Sequence, residues 1–188
     1  MRACTRLLRF AADRSGVAAI EFGLAAPVMI LLFLGGFDMC RYLLANFKAD
    51  RVAFSVADIV TQYKMVTSTE VADAFQAAAE IMDPFEFASD GVVIMSSVYR
   101  KDSWSTPVIR WQCTGGGTLQ HQSALGAAGD YATLPPNVTL GARENLLIAE
   151  VFYDYHPLFS GVIPQEVQVY KTAIFRPRLG TLTSAPGC

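Results

Sequence analysis

A chain of 188 residues, 52% apolar and only 17% charged, has room for one domain and an appendage, which excludes a large multidomain enzyme. An ordinary soluble domain carries about 25% charged residues, so part of this chain is built for a different solvent. The formal net charge of −2 gives no broad attraction for nucleic acid, and no nucleic-acid partner is expected.

Residues 1–16 form a basic leader, with Arg2, Arg6, Arg9 and Arg14 set against one acid, Asp13. Val17–Phe37 (VAAIEFGLAAPVMILLFLGGF) follows, 21 residues with a single charge, Glu21. About 20 apolar residues cross the hydrocarbon core as an α-helix, so residues 17–37 read as a transmembrane helix facing membrane lipid. Pro27 is better tolerated in a membrane helix than in a soluble one. Behind the run, Asp38, Arg41, Lys48, Asp50 and Arg51 nearly cancel, so the basic leader keeps the N-terminus cytoplasmic and sends the rest across the membrane. That exported part holds 11 Lys and Arg and 15 Asp and Glu, a net of 11 − 15 = −4. A conventional cleaved signal peptide fits poorly, because the strongest apolar stretch, Met29–Leu34, comes after the small residues Ala25-Ala26. A lone carboxylate in lipid costs about 2.5–3.5 kcal/mol on insertion scales. Glu21 is therefore either a functional group or a side chain that reaches back to the headgroups.

From Asp38 to Val66 the apolar residues Tyr42, Ala45, Ala49, Val52, Val56, Ile59, Tyr63 and Val66 recur at alternating spacings of three and four. Lys48, Arg51, Ser55, Asp58 and Gln62 follow the same spacing on another face. The stripe predicts an amphipathic extension of the helix over 38–66. It is expected to pack on the protein's own domain in preference to a coiled-coil partner, since Ala and Tyr are poor seam residues. Thr67-Ser68-Thr69-Glu70 offers caps for a second helix, Val71–Met82, which Asp83-Pro84 ends. After Gly91 the pattern changes to β-branched runs, and Gly91–Tyr99, Val108–Cys113, Leu146–Tyr155 and Val167–Phe175 read as strands, the first two as a hairpin. Thr114–Arg143, punctuated by Gly and Pro, reads as a long surface loop. Helices first and strands afterwards predict an α+β domain over 67–188, with the helices packed on a small, mainly antiparallel sheet of four strands.

The order basic residues, Gly16, Val17-Ala18-Ala19-Ile20, Glu21-Phe22 and a long apolar run resembles the class III signal of type IV pilins. More narrowly, GVAAIEFGLAAPVMILLFLGG (residues 16–36) resembles the N-terminal module of the TadE family, TadE/TadG-like proteins of the bacterial Tad (Flp) tight-adherence pilus system. The likeness extends over residues 14–57. VFYDYHPLF (residues 151–159) is also similar to a Y-x-Y-x-P-L-F segment of TadE-like domains. The resemblance implies a minor pseudopilin or assembly factor of the pilus, in the inner membrane with a periplasmic domain. Gly16 would be the last leader residue, cut by a prepilin peptidase, and Val17 the mature N-terminus. Glu21, with Phe22 beside it, would be the assembly contact, the carboxylate meeting the N-terminal ammonium of a neighbouring subunit. Partners implied are other pilins or pseudopilins, the inner-membrane pilus machinery, the prepilin peptidase and membrane lipid. The alternative is an uncleaved single-pass anchor carrying a periplasmic scaffold or binding domain.

No catalytic constellation is legible, and no enzyme, cofactor or metal is expected. Gly115-Gly116-Gly117 lacks the Lys-Ser/Thr of a phosphate loop and reads as a flexible turn. His121 and His156 stand at no metal-ligand spacing and read as surface histidines. Asn137-Val138-Thr139 matches a glycosylation sequon of a kind frequent by chance. Cys4 lies in the leader, and Cys40 is expected to pack as a small apolar residue. Cys113 and Cys188 both fall on the oxidising side, where a bridge between them is expected; two free thiols, or Cys188 pairing between chains, are the alternatives.

Overall fold

The structure is a computed structural model that describes residues 16–159, 167–184 and 186–188. The leader arginines, Asp13 and Cys4 lie outside the described residues. Helix α1, Val17–Thr61, is continuous through Pro27 for 45 residues, about 68 Å at 1.5 Å per residue. Among the described residues no part of its most apolar stretch is buried. Past Phe37 the same helix turns into a core element. Ala45, Ala49, Val52 and Val56 of the sequence stripe are fully buried, joined by Ala53, Ala57 and Val60, so the stripe packs on the chain's own sheet.

The helix ends earlier than the stripe suggests. Gln62 N–H bonds back to Ile59 O at 3.3 Å, and the Thr61 carbonyl is taken by the Arg178 amide at 3.2 Å. Tyr63 is left exposed outside the helix, while Val66 still packs against the core from the connection that follows. Helix α2, Ser68–Met82, opens on a capping box: Glu70 N–H donates to Thr67 Oγ1 and Thr67 N–H donates to Glu70 Oε2 at 2.7 Å. Its C-terminus is met by Lys48 of α1, whose Nζ donates to Ile81 O at 2.8 Å, a cation placed at the negative helix end. One turn of helix, α3 (Phe87–Asp90), leads into the sheet.

The strands are β1 (Gly91–Tyr99), β2 (Val108–Gly115), β3 (Asn145–Tyr155) and β4 (Val167–Phe175), in the order β2-β1-β3-β4 and antiparallel throughout. The fold is α+β, as the element order predicts. β1 and β3 are central and covered on both faces, which explains their near-continuous apolar sequences. The inner face, with Val93, Met95, Trp111, Leu147, Ala149 and Val151, meets α1 and α2. A bulge at Arg110 pairs Val98 with Ile109 while Ser97 keeps Trp111. Trp111 thereby points inward and Ile109 outward, and both are buried.

The outer face is covered by the 114–143 excursion, which sequence alone reads as a surface loop. Leu125 and Leu140 are buried there against Val98, Leu146 and Ile148. The glycine triplet that opens the excursion is a turn, as expected, and two of its positions require glycine. Gly116 sits at φ +82°, and a Cβ at Gly117 would collide with the backbone carbonyls of Phe87 and Gly91. The C-terminal tail closes the end of the domain far from the apolar half of α1. Leu182 O accepts from Trp111 Nε1 at 2.8 Å and from Ser97 Oγ at 2.6 Å, and Arg178 pairs with Asp58 of α1.

Candidate functional site

Two parts of α1 carry the groups that could act: the bare apolar half, with Gly16, Val17, Glu21 and Phe22, and the junction where the helix enters the domain. Gly16 is the N-cap, exposed, and a Cβ placed on it meets nothing within 4 Å. Among the described residues its lack of a side chain serves no packing. Val17 and Glu21 are four residues apart on one helix face, and both are exposed, as is Phe22. Among the described residues Glu21 makes no ion pair. The apolar exposure does not stop at Phe37. Leu43, Leu44 and Phe47 continue it down α1, and Phe54, 57% exposed, prolongs it to the sheet edge, where its ring meets Phe175 of β4 edge-on. Cys40 lies along this stretch and is a free, exposed thiol, not the packed residue expected.

The junction is organised by Asp38, one residue past the predicted span and fully buried. Its carboxylate accepts the backbone N–H groups of Leu158 at 3.0 Å and Phe159 at 2.8 Å. Its own carbonyl accepts from the Tyr155 hydroxyl at 3.3 Å. Around it, Phe37 meets Phe159 and Tyr42 meets Tyr155 edge-on, with ring centroids 6.4 and 5.4 Å apart. Arg41 lies over the Phe85 ring at 5.3 Å. The YxYxPLF segment thus has a physical role: its Pro-terminated turn presents two amides to a carboxylate on the anchor helix. Sequence reasoning placed Asp38 only in a charge tally. The available clue was an acid directly behind a membrane run, where a net-charge argument is indifferent to it. Burial pushes the Tyr155 hydroxyl above its ordinary pKa and, with Asp90 nearby, pushes Tyr153 up to about 12.

A second buried carboxylate, also unforeseen, holds the outer layer. Glu150 in the middle of β3 is fully buried. It accepts from the Ser123 hydroxyl, from Ala124 N–H at 3.0 Å and from the Tyr170 hydroxyl at 2.8 Å. Burial and the Glu150 charge together raise the Tyr170 pKa. Ser123 donates straight to the carboxylate, and the His121 Nδ1 faces Gln122 O at 2.8 Å, so the three do not form a nucleophile–base relay. Both histidines are exposed, as the sequence reading expects, and each has a neighbour. His121 stacks on Phe152 at 3.7 Å between ring centroids, and His156 Nε2 stands 3.8 Å from Asp90. Among the described residues no group of three or more His, Cys, Asp or Glu is placed to hold a metal ion.

Cys113, at the end of the inner face of β2, and Cys188 are bonded, with Cα atoms 5.6 Å apart. The bond ties the tail to the strand that carries Trp111.

A membrane-length apolar helix running unbroken into an α+β domain defines the class: a single-pass, helix-anchored protein. The family model described as TadE-like protein matches residues 16–58, so the anchor and the first turns of the core stripe are TadE-like, in agreement with the resemblance of the sequence. The match and the apolar helix together fit a membrane protein associated with a Tad-type pilus. No curated protein and no solved structure matches the chain.

Proposed function

We propose that the protein is a minor pseudopilin or assembly factor of a Tad/Flp-type pilus. It sits in the inner membrane with its N-terminus cytoplasmic and its domain periplasmic, and a prepilin peptidase cuts after Gly16. The observation that carries this reading is Glu21, a carboxylate without an ion-pair partner among the described residues, on the bare half of α1 and inside the matched segment. In lipid such a group needs a counter-charge, and a neighbouring subunit's new Val17 ammonium is one of the right sign at the right depth. Pairing the two fixes the axial register between adjacent helices. Phe22 and the exposed stripe through Leu43, Phe47 and Phe54 then supply the apolar helix surface that such a neighbour covers.

The test is Glu21→Val in cells that make the pilus. Membrane insertion is unchanged or improved, because the costly carboxylate is gone, while piliation is lost. Normal piliation returns Glu21 to a headgroup-seeking side chain and favours the uncleaved scaffold instead.

A further inference from the structure

β1 runs from Gly91, paired with Tyr153 near the anchor junction, to Tyr99, paired with Asn145. Its far end therefore stands roughly 26 Å from the junction, at about 3.3 Å per residue. At that pole the β1–β2 connection forms a groove lined by Tyr99, Lys101, Trp104, Thr106, Arg110 and Tyr131. Trp104 is 97% exposed and Tyr131 72% exposed, and neither ring is needed by the core.

The backbone that carries each ring is nevertheless pinned. Asp102 Oδ1 accepts the amides of Trp104 at 3.0 Å and Ser105 at 2.8 Å. Arg100 clasps the same turn from below, donating to Ser103 O, Ser105 O and Leu140 O. Tyr131 forms a bridge with Val108 of β2. Arg110 is the bulged residue, turned out to solvent, and among the described residues neither it nor Lys101 makes an ion pair. The groove thus offers two exposed aromatic faces on a pinned backbone, two cations outside any ion pair and a Thr hydroxyl, on a domain whose exported part is otherwise net negative.

We infer that this distal groove binds a carboxylate-bearing glycan: sugar rings lie against Trp104 and Tyr131, and the carboxylate is taken by Arg110 and Lys101. A protein partner fits less well, because interface cores are apolar and poor in Lys, Asp and Ser, whereas these rings stand among Lys101, Asp102, Ser103 and Ser105. A single-stranded nucleic acid would stack equally well but needs a basic track along its backbone, and two cations do not make one. A glycan with one carboxylate every ring or two offers both an apolar sugar face for the aromatic rings and a charge for the cations. Two envelope sources share that chemistry, a cell-wall strand and an acidic surface polysaccharide.

The chain has two tryptophans, and the other, Trp111, is 3% exposed, so a ligand on the groove changes the emission of Trp104 alone. The full chain in detergent micelles is titrated with a muramyl-peptide disaccharide, a galacturonate hexamer, neutral chitohexaose, an acidic hexapeptide and a dT hexamer. At least one acidic saccharide gives a saturable blue shift of the Trp104 emission, with chitohexaose at least about tenfold weaker. Arg110→Gln, at an exposed bulge, weakens that binding about tenfold and leaves the melting temperature unchanged. Trp104→Ala, followed by calorimetry, abolishes it. Tighter binding of the disaccharide assigns the cell wall as source, and tighter binding of the galacturonate assigns a surface polysaccharide. No shift with either acidic saccharide, equal binding of chitohexaose, or tighter binding of the peptide or the DNA overturns the inference.

Discussion

Removing the Asp38 carboxylate tests how firmly the anchor and the domain are joined. In Asp38→Ala two backbone donors, on Leu158 and Phe159, lose a carboxylate acceptor 3.0 and 2.8 Å away. A hydrogen bond to a charged group contributes about 1.5–3 kcal/mol. Leu158 is itself exposed, so water recovers part of the loss on that side, while the half-buried Phe159 amide recovers less. The expected destabilisation is about 3 kcal/mol, or roughly 6–12 °C in Tm for a domain of this size. Asp38→Asn, which keeps one acceptor oxygen, should lose about half as much. Thermal unfolding of the purified protein in micelles gives the magnitude, and hydrogen exchange locates it: the Leu158 and Phe159 amides should open first, ahead of β1 and β3. A variant within 0.5 kcal/mol of wild type, with the Phe159 amide still protected, would refute the idea that this carboxylate joins helix and domain.

Three further outcomes follow from the same geometry. Glu150→Ala strands the Ser123 and Tyr170 hydroxyls and the Ala124 amide, so it should cost about 3 kcal/mol and make the 118–130 segment the first site of proteolytic cleavage. Reduction of the Cys113–Cys188 bond, 75 residues apart, should lower stability by about 4 kcal/mol by loop-closure entropy, and non-reducing peptide maps should recover the two peptides linked; free alkylation of both thiols would contradict this. Tyr153, Tyr155 and Tyr170 all have pKa values raised above 10 in the folded state, so their stabilisation is complete below pH 10 and is lost as pH rises through the folded values; unfolding should become easier from about pH 10 to 12, and Tyr170→Phe should soften that alkaline loss.

Local chemistry made most of the frame readable. The Thr67–Glu70 capping box and the bounds of β1 and β4 follow from patterns a few residues long, as does the Ala-rich stripe of α1. Contacts made across long sequence separations were not readable. Asp38 finds its partners 120 and 121 residues away. Glu150 looks like an interruption in an apolar strand until Ser123 and Tyr170 are brought to it. Ala53 and Ala57 fell outside the stripe because the helix buries a wider face than a single three-four ladder. The glycine triplet gave away its turn but not the close approach of the Phe87 and Gly91 carbonyls to Gly117. At the N-terminus the reverse holds. The spacing of Gly16, Glu21 and Phe22 stands out in the sequence, and among the described residues none of the three is buried or paired.

That exposure makes the N-terminus of the native protein the most direct measurement. Among the described residues a Cβ at Gly16 meets nothing within 4 Å, so Gly16→Leu should leave the folded domain's melting temperature unchanged, which separates an effect on processing from an effect on folding. Intact-mass and N-terminal peptide spectra of protein taken from native membranes should show a chain beginning at Val17, with Gly16→Leu accumulating as the heavier precursor. A wild-type protein that still carries residues 1–16 would contradict the pseudopilin account.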